Sequence, residues 1–201
     1  MYAQILIAAS LVIAGYYDVK ERAVADIVWI PGAAGVVLAF VLLPASTEFL
    51  LVRLALIGGI GLIFAKYGSI GEADAIAFVI AASDPYPISP IPIFLASGVT
   101  ALLHIGYLYF SGSVGKSKII SLEQFRSEAK WIPKAIVSGD ARSAVDKNVN
   151  ISREEVEKSA SRDSKIEVQY GVPTVTYVAV GYLAYIVYMV LFHLQLLMSL
   201  A

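Results

Sequence analysis

Two aspartates, Asp18 and Asp74, stand at the edges of apolar segments of the sequence. Asp18 directly follows the first apolar segment, and Asp74 lies near the start of the fourth. An Asp at the centre of a membrane-spanning helix costs about 2.5–3.5 kcal/mol on insertion scales, so ionisable residues in such segments are functional candidates. We therefore take these two carboxylates as the groups of the chain that could do chemistry.

Two facing carboxylates can hydrolyse a peptide bond by sharing one proton. The ionised carboxylate takes a proton from water, and the protonated one donates a hydrogen bond to the scissile carbonyl. This chemistry needs no metal and no cofactor, and we expect neither. The sequence has no cysteine and two histidines, His104 and His193, without ligand spacing, which excludes thiol catalysis and cysteine-ligated zinc.

Helix-end electrostatics suggest which carboxylate holds the shared proton. Asp74 follows Gly71 in the first turn of a predicted helix, where the helix dipole stabilises an anion by about 0.3–1 kcal/mol. Asp18 ends the first predicted helix, where an anion is disfavoured. The hypothesis is that Asp18 is more often the protonated member of a pair that titrates as a unit.

The elements that must position these carboxylates are apolar segments long enough for a membrane. The chain of 201 residues is 58% hydrophobic and 15% charged, too apolar for a soluble domain. Crossing about 30 Å of hydrocarbon takes roughly 20 helical residues. We predict an all-α polytopic membrane protein with about six transmembrane helices, at about 2–17, 27–43, 49–65, 73–82, 91–110 and 173–200.

A polar region, 111–170, separates the last two apolar segments. It is rich in charged residues and too weakly hydrophobic to span a membrane. We predict three parts: transmembrane helices one to five over 1–110 with both aspartates, a small cytoplasmic insertion over 111–170, and helix six over 171–201. The insertion is expected to be partly helical, around 122–137 and again around 152–161. Ser152 and Glu155 have capping-box spacing, which supports a helix start at Ser152.

Basic residues predict the orientation of the chain in the bilayer. Lys20, Arg22, Lys66 and the basic residues of the polar region fall on one side of the membrane, and Arg53 falls near the other. The positive-inside rule makes the first side cytoplasmic, with both termini outside and both aspartates at the cytoplasmic edge. A net charge of −1 gives no basic surface for nucleic acid.

The residues around Asp74 resemble a known family. Gly71, Glu72, Ala73 and Asp74 form a G-x-x-D sequence at the start of a short helix. This sequence resembles the GxGD-type signature of intramembrane aspartic peptidases, in the looser form found in archaeal preflagellin and type IV prepilin peptidases. Ala73 stands where the strict motif has its second glycine.

The likeness extends over nearly the whole chain. The stretch 18–31 is similar to the family's region around its first Asp, with Asp26 where the family often has Asn. The stretch 90–97 resembles the family's P-x-P-x-x-x-x-N/S sequence. An Asp ending helix one, G-x-x-D opening helix four and a proline-rich start of helix five together form a stronger signal than G-x-x-D alone.

The resemblance implies an endopeptidase with Asp18 and Asp74 as its catalytic pair. Its substrate would be an archaellin or type IV pilin-like precursor with a short basic leader followed by a hydrophobic helix. Cleavage would take place at the cytoplasmic membrane face. Bacterial relatives carry a large cysteine-containing loop between the first two helices and also N-methylate the product. This chain lacks that loop, so no methyltransferase activity is expected.

Three acidic residues near the pair, Glu21, Asp26 and Glu72, are candidate contacts for the basic leader. The plainer interpretation is a solvated membrane rim in which these residues pair with neighbouring lysines and arginines. Under the peptidase hypothesis, the expected partners of the protein are the hydrophobic precursor and the lipid bilayer, and no nucleic acid is expected.

Three other functions fit parts of the pattern. Paired intramembrane carboxylates, glycine breaks and a short helix also describe a small secondary transporter or an ion-binding membrane protein. A non-catalytic scaffold would instead use the polar region to bind a partner. A peptidase resembling presenilin or signal peptide peptidase would cut within its substrate's helix, although the nine-helix layout of those relatives is missing.

Overall fold

The computed structural model consists of two compact units. The first comprises Met1–Asp18, Ala23–Leu102 and Pro173–Ala201, and the second comprises Val19–Arg22 and Leu103–Val172. The structure describes residues 2–42, 47–66, 71–86, 89–112, 117–128, 131–138, 141–144, 156, 158–161 and 164–199.

Every predicted apolar segment forms a helix. A one-turn 3₁₀ helix, Asp26–Trp29, precedes the second of them. The six helices are α1 (Tyr2–Glu21), α2 (Ile30–Leu42), α3 (Thr47–Lys66), α4 (Glu72–Ala82), α5 (Pro90–Phe110) and, after the polar region, α7 (Thr174–Ser199).

Three helices in the described part of the chain are long and apolar enough to cross a membrane. They are Tyr2–Glu21, Pro90–Phe110 and the Thr174–His193 part of α7; the apolar helical stretch Asp26–Val41 is shorter. At 1.5 Å per residue, the 11 residues of α4 extend only about 16 Å, roughly half of the hydrocarbon layer. A membrane-protein architecture is therefore supported, whereas six complete spans are not confirmed.

The core of the first unit is mostly apolar, with a few buried polar side chains among its apolar ones. Ile7 and Leu11 of α1, Ile93 of α5, and Val178 and Tyr182 of α7 are buried together. The outward faces of the same helices carry large apolar residues, with Leu102 73% exposed and Leu183 42% exposed. Apolar side chains on both the inner and outer faces are typical of helices that meet lipid.

The second unit contains an antiparallel sheet, so the all-α prediction is wrong for the polar region. Its strands are β1 (Lys118–Ser121), β2 (Trp131–Ser138), β3 (Ala141–Ala144) and β4 (Lys165–Tyr170), arranged in the order β1-β4-β2-β3. A short helix, α6 (Leu122–Ser127), follows β1. The hydrophobic core cluster of this unit comes from α6, from the sheet and from the part between β3 and β4: Ile120, Leu122, Phe125, Val156, Ile166 and Val168.

The helix predicted over 122–137 ends at Ser127, and its second half is strand β2. Pro133 lacks a backbone N–H and cannot sit inside a helix without breaking it. In the sheet, the pairing of β2 with β4 is irregular between Pro133 and Ala135, where a missing donor is tolerated. Lys158 and Ser159 are helical, whereas the capping pair Ser152 and Glu155 lies outside the described residues.

The packing of α5 on α7 predicts a strong effect of a single methyl group. A Cβ added at Gly181 would lie 2.5 Å from the Ile93 carbonyl oxygen and 2.8 Å from the Ser97 nitrogen. Gly181→Ala is therefore expected to lower the free energy of unfolding in detergent by about 1–3 kcal/mol. Gly98→Ala is the matched control on α5, because, among the described residues, no heavy atom outside its own stretch of helix lies within 4 Å of its added Cβ. Equal stability of the two variants would contradict this helix packing.

Candidate functional site

Asp18 lies in the last turn of α1, where it faces the first turn of α7. Its side chain is buried, with 8% of its surface exposed. The carboxylate oxygen Oδ2 accepts hydrogen bonds from the Thr176 backbone N–H at 3.3 Å and from Thr176 Oγ1 at 3.4 Å. The first N–H groups of a helix have no partner within it, so Asp18 caps α7 from a neighbouring helix.

The approach of α1 to α7 at this point depends on Gly15. A Cβ there would lie 3.2 Å from both the Ala179 Cβ and the Thr176 Cα, tighter than ordinary contact. The Thr176 hydroxyl donates a hydrogen bond to the Gly15 carbonyl at 2.9 Å. Small residues that let two helix backbones approach are a common way to pack helices in membranes. This contact holds Asp18 against the first turn of α7.

Asp74 is the third residue of α4. Its Oδ2 accepts a hydrogen bond from the Gly71 backbone N–H at 3.1 Å, so the side chain caps its own helix in the manner of the acidic residue of a capping box. Gly71 has φ −72° and ψ 157°, a conformation open to any residue. A Cβ at Gly71 would meet Asp74 Oδ2 at 3.4 Å, which is an ordinary contact. Neither backbone conformation nor space therefore requires glycine at this position.

The register of the helices brings Asp18 and Asp74 to one end of the first unit. Ser10 of α1 and Ile80 of α4 meet at Gly32 of α2, where an added Cβ would lie 2.8 Å from Ser10 Oγ and 2.9 Å from Ile80 Cδ1. Because α1 and α4 are antiparallel, the part of α1 after Ser10 and the part of α4 before Ile80 extend toward the same end of the unit. Asp18 lies about 12 Å from the level of Ser10, and Asp74 lies about 9 Å from the level of Ile80. The two carboxylates therefore share one end and nearly one depth.

Both carboxylates lie at the start of a helix. Helix-end electrostatics therefore give no reason to assign the shared proton to one carboxylate and not to the other. The hypothesis that Asp18 holds the shared proton considered only the C-terminal end of α1. In the structure Asp18 also accepts from the first turn of α7, and Asp74 lies in the first turn of α4. The positive ends of two helix dipoles thus act on the two anions, so helix-end electrostatics do not assign the proton to either.

The remaining candidate residues occupy separate places. Ala73 is half-buried and packs on the core of the first unit. Glu72 and Asp26 are exposed, each as the first residue of its helix. Glu21, which belongs to the second unit, forms an ion pair with Lys20 at 3.7 Å, and both side chains are half exposed. This pair fits the solvated-rim interpretation for Glu21.

A third carboxylate, Asp84, is fully buried at the opposite end of the unit, just after α4. Four donors surround it: Oδ2 accepts from Gln4 Nε2 at 3.0 Å and from the Tyr182 hydroxyl at 2.9 Å. Oδ1 accepts from the Tyr86 N–H at 3.0 Å and from the Tyr185 hydroxyl at 3.3 Å. We call these five residues, together with Arg53, the Asp84 cluster.

Arg53 of α3 completes the cluster. Its guanidinium donates to the Asp84 carbonyl and, at 3.0 Å, to the Tyr86 carbonyl, and its charge acts on the Asp84 carboxylate. The sequence offered two signals, a charge directly after an apolar segment and a lone Arg within another. Tyr182 and Tyr185 of α7 pack in the core of the first unit and also donate to Asp84, whereas Tyr188 is 58% exposed.

Comparison of the chain with protein-family models, with curated proteins and with solved structures returned no match. Within the described part of the chain, no group of three or more His, Cys, Asp or Glu residues is placed to hold a metal ion. The three carboxylates and the helices that carry them are therefore the features that indicate a function.

The Thr176 contacts predict a stability effect of one hydroxyl group. Thr176→Val keeps the shape of the side chain but removes the donor to the Gly15 carbonyl, so we expect a loss of about 1 kcal/mol in the free energy of unfolding. Thr176→Ser keeps the hydroxyl and should retain most of that stability. Thermal or denaturant unfolding in detergent compares the three proteins. A valine variant as stable as the wild type would show that the hydroxyl contributes nothing to the α1–α7 contact.

Proposed function

We propose that the protein is an intramembrane aspartic endopeptidase that removes the short basic leader from archaellin or type IV pilin-like precursors. The observation that carries this proposal is the placement of Asp18 and Asp74 at one end of the helical unit, at nearly the same depth. The resemblance described above supports it too, since it implies a catalytic pair formed by an Asp at the end of helix one and the Asp of G-x-x-D at the start of helix four.

In the proposed reaction, one carboxylate acts as general base and the other as general acid. The ionised carboxylate removes a proton from water as the water oxygen bonds to the scissile carbonyl carbon. The protonated carboxylate donates to the carbonyl oxygen and stabilises the tetrahedral intermediate. The carbon–nitrogen bond then breaks, and the leaving nitrogen takes a proton, which regenerates the singly protonated pair. Water is the only co-reactant.

The proposed orientation puts the Asp18 end of the unit at the cytoplasmic face of a cell membrane, with both termini outside. Arg53 and the Asp84 cluster would then lie toward the outer face, in agreement with the distribution of basic residues. A precursor would keep its leader in the cytoplasm while its apolar helix lies in the bilayer beside the bundle. Its scissile bond, at the boundary between the two, would meet the carboxylates at their own depth.

The Asp84 cluster does not favour the alternative of cation transport. A cation bound to a buried carboxylate needs oxygen ligands, but the four groups that contact the Asp84 oxygens are N–H and O–H donors. These donors fill the acceptor sites of the carboxylate. Arg53 adds a fixed positive charge nearby. The cluster is thus arranged for an anion that stays in place.

The peptidase proposal predicts that each aspartate is essential. Asp18→Asn and Asp74→Asn should each lower the rate of leader removal by about 10²–10⁴-fold, because each amide removes a proton-transfer group. The measurement is cleavage of a precursor with a basic leader by the purified protein in liposomes. Both variants must insert and elute as the wild type does, so that loss of activity is not loss of the protein.

Glu48→Gln is the matched control for these variants. Glu48 is also an acidic residue in the first turn of a helix, α3, and its side chain is exposed. Its replacement removes one carboxylate without touching Asp18 or Asp74, and cleavage should continue at the wild-type rate. If both asparagine variants cut as well as the wild type, the carboxylate pair is not catalytic and the peptidase proposal fails.

The leader-contact hypothesis predicts a smaller effect at Glu72. This residue is exposed at the start of α4, and exposed ion pairs contribute only about 0.2–1 kcal/mol. Glu72→Lys should therefore raise KM by about two- to fivefold at low salt, with kcat unchanged. A precursor with an acidic residue in its leader should recover part of the loss. An unchanged KM at low salt would assign Glu72 to the solvated rim.

A further inference from the structure

We infer that Asp84 is a positioning residue for the proposed catalytic pair, although it lies at the opposite end of the unit. This inference rests on the proposed function. The Asp84 cluster joins the end of α4 to α1 through Gln4, to α7 through Tyr182 and Tyr185, and to α3 through Arg53. The helices that carry Asp18 and Asp74 are thus joined through one carboxylate.

The two proposed catalytic carboxylates are held in different ways. Asp18 is held against α7 by Thr176 and by the Gly15 contact, so α1 and α7 act as one pair. Asp74 is carried by the first turn of α4 and accepts a hydrogen bond from the Gly71 N–H just before that helix. Because Asp74 moves with α4, its position relative to Asp18 changes with any tilt of α4 against the α1–α7 pair.

Polar contacts fix α4 to that pair at the Asp84 end. Asp84 binds Gln4 of α1 and two tyrosines of α7 over sequence separations of 80 to 101 residues. Apolar packing beside them is non-directional, whereas these hydrogen bonds specify one register and one orientation. Gln4 also lies 14 residues before Asp18, about four helical turns, so the two residues share one face of α1.

A small tilt of α4 around the Asp84 end causes a large displacement of Asp74 at the other end of the helix. Asp74 and Asp84 are separated by ten residues, about 15 Å along α4. A tilt of α4 by about 10° around the Asp84 end would move Asp74 by about 3 Å. A misplacement of about 1 Å can cost about 100-fold in rate. Loss of the cluster should therefore lower kcat although no group at the site has changed.

The test compares Asp84→Asn with Ser83→Ala. The amide of asparagine has the shape of the Asp84 carboxylate. However, its NH₂ group would face hydrogen-bond donors at the place where a carboxylate oxygen accepts their bonds. Ser83 is equally buried and adjacent, but its hydroxyl donates to the Val79 carbonyl within α4, so its loss leaves the contacts between helices intact. We expect Asp84→Asn to lower kcat at least tenfold with KM within twofold, and Ser83→Ala to change neither.

A second readout measures position without activity. The chain contains no cysteine, so Tyr16→Cys on α1 and Glu72→Cys on α4 accept one spin label each. Both positions are exposed near the Asp18 end. The distance distribution between the labels should be narrow in the wild type and in Ser83→Ala. It should broaden or shift by about 3 Å in Asp84→Asn, as the tilt estimate requires. Kinetics are measured on the unlabelled proteins.

Each outcome of the two readouts decides the inference. A fall in kcat with an altered distance supports the positioning role. An unaltered distance overturns it, whether or not kcat falls, and so does a shifted distance with wild-type kcat. If Asp84→Asn does not insert, Tyr182→Phe combined with Tyr185→Phe removes two donors and keeps both rings, and the same two readouts apply. Absence of cleavage by the wild type would overturn the proposed function, while the distance would still show whether Asp84 fixes α4.

Discussion

The cost of a carboxylate among apolar side chains is the constraint on which the helical unit depends. Asp18, Asp84 and, in part, Asp74 are removed from water, and each is given N–H or O–H donors. Asp18 uses the first turn of α7, and Asp74 uses the N–H that precedes α4. Asp84 uses groups from three parts of the chain. Unpaired polar groups in such surroundings cost several kcal/mol, so these bonds decide which helices can meet and in which register.

The two ends of the unit meet this constraint differently. At one end, three of the four bonds to Asp84 measure 2.9–3.0 Å, and a neighbouring Arg supplies an opposite charge. At the other end, the bonds from Thr176 to Asp18 measure 3.3 and 3.4 Å, near the outer limit of hydrogen bonding. Three of the bonds to Asp84 are thus shorter than the two that Thr176 donates to Asp18.

Sequence patterns predicted the local features well and the distant contacts poorly. The ends of the apolar segments placed Asp18 at a helix end and Asp74 at a helix start, because hydrophobic runs and Gly71 are local signals. The Asp84 cluster joins residues up to 101 positions apart, and no local pattern indicates that Gln4 and Tyr185 meet. The sheet was missed because its strands are short, and because Pro133, read as part of a helix, lies at an irregular point of β2.

The G-x-x-D sequence has a local explanation that does not involve catalysis. Asp74 accepts from the Gly71 N–H, and an acidic residue three positions after the N-cap does this in many helices. Nor does the backbone at Gly71 require glycine. Asp18 likewise caps a helix, since it accepts from the first turn of α7. What capping does not explain is that two carboxylates carried by different helices lie at the same end of the unit and at nearly the same depth. Each cap needs one carboxylate, whereas acid–base hydrolysis needs two that can share a proton. The pairing, more than the motif, is therefore the argument for a peptidase.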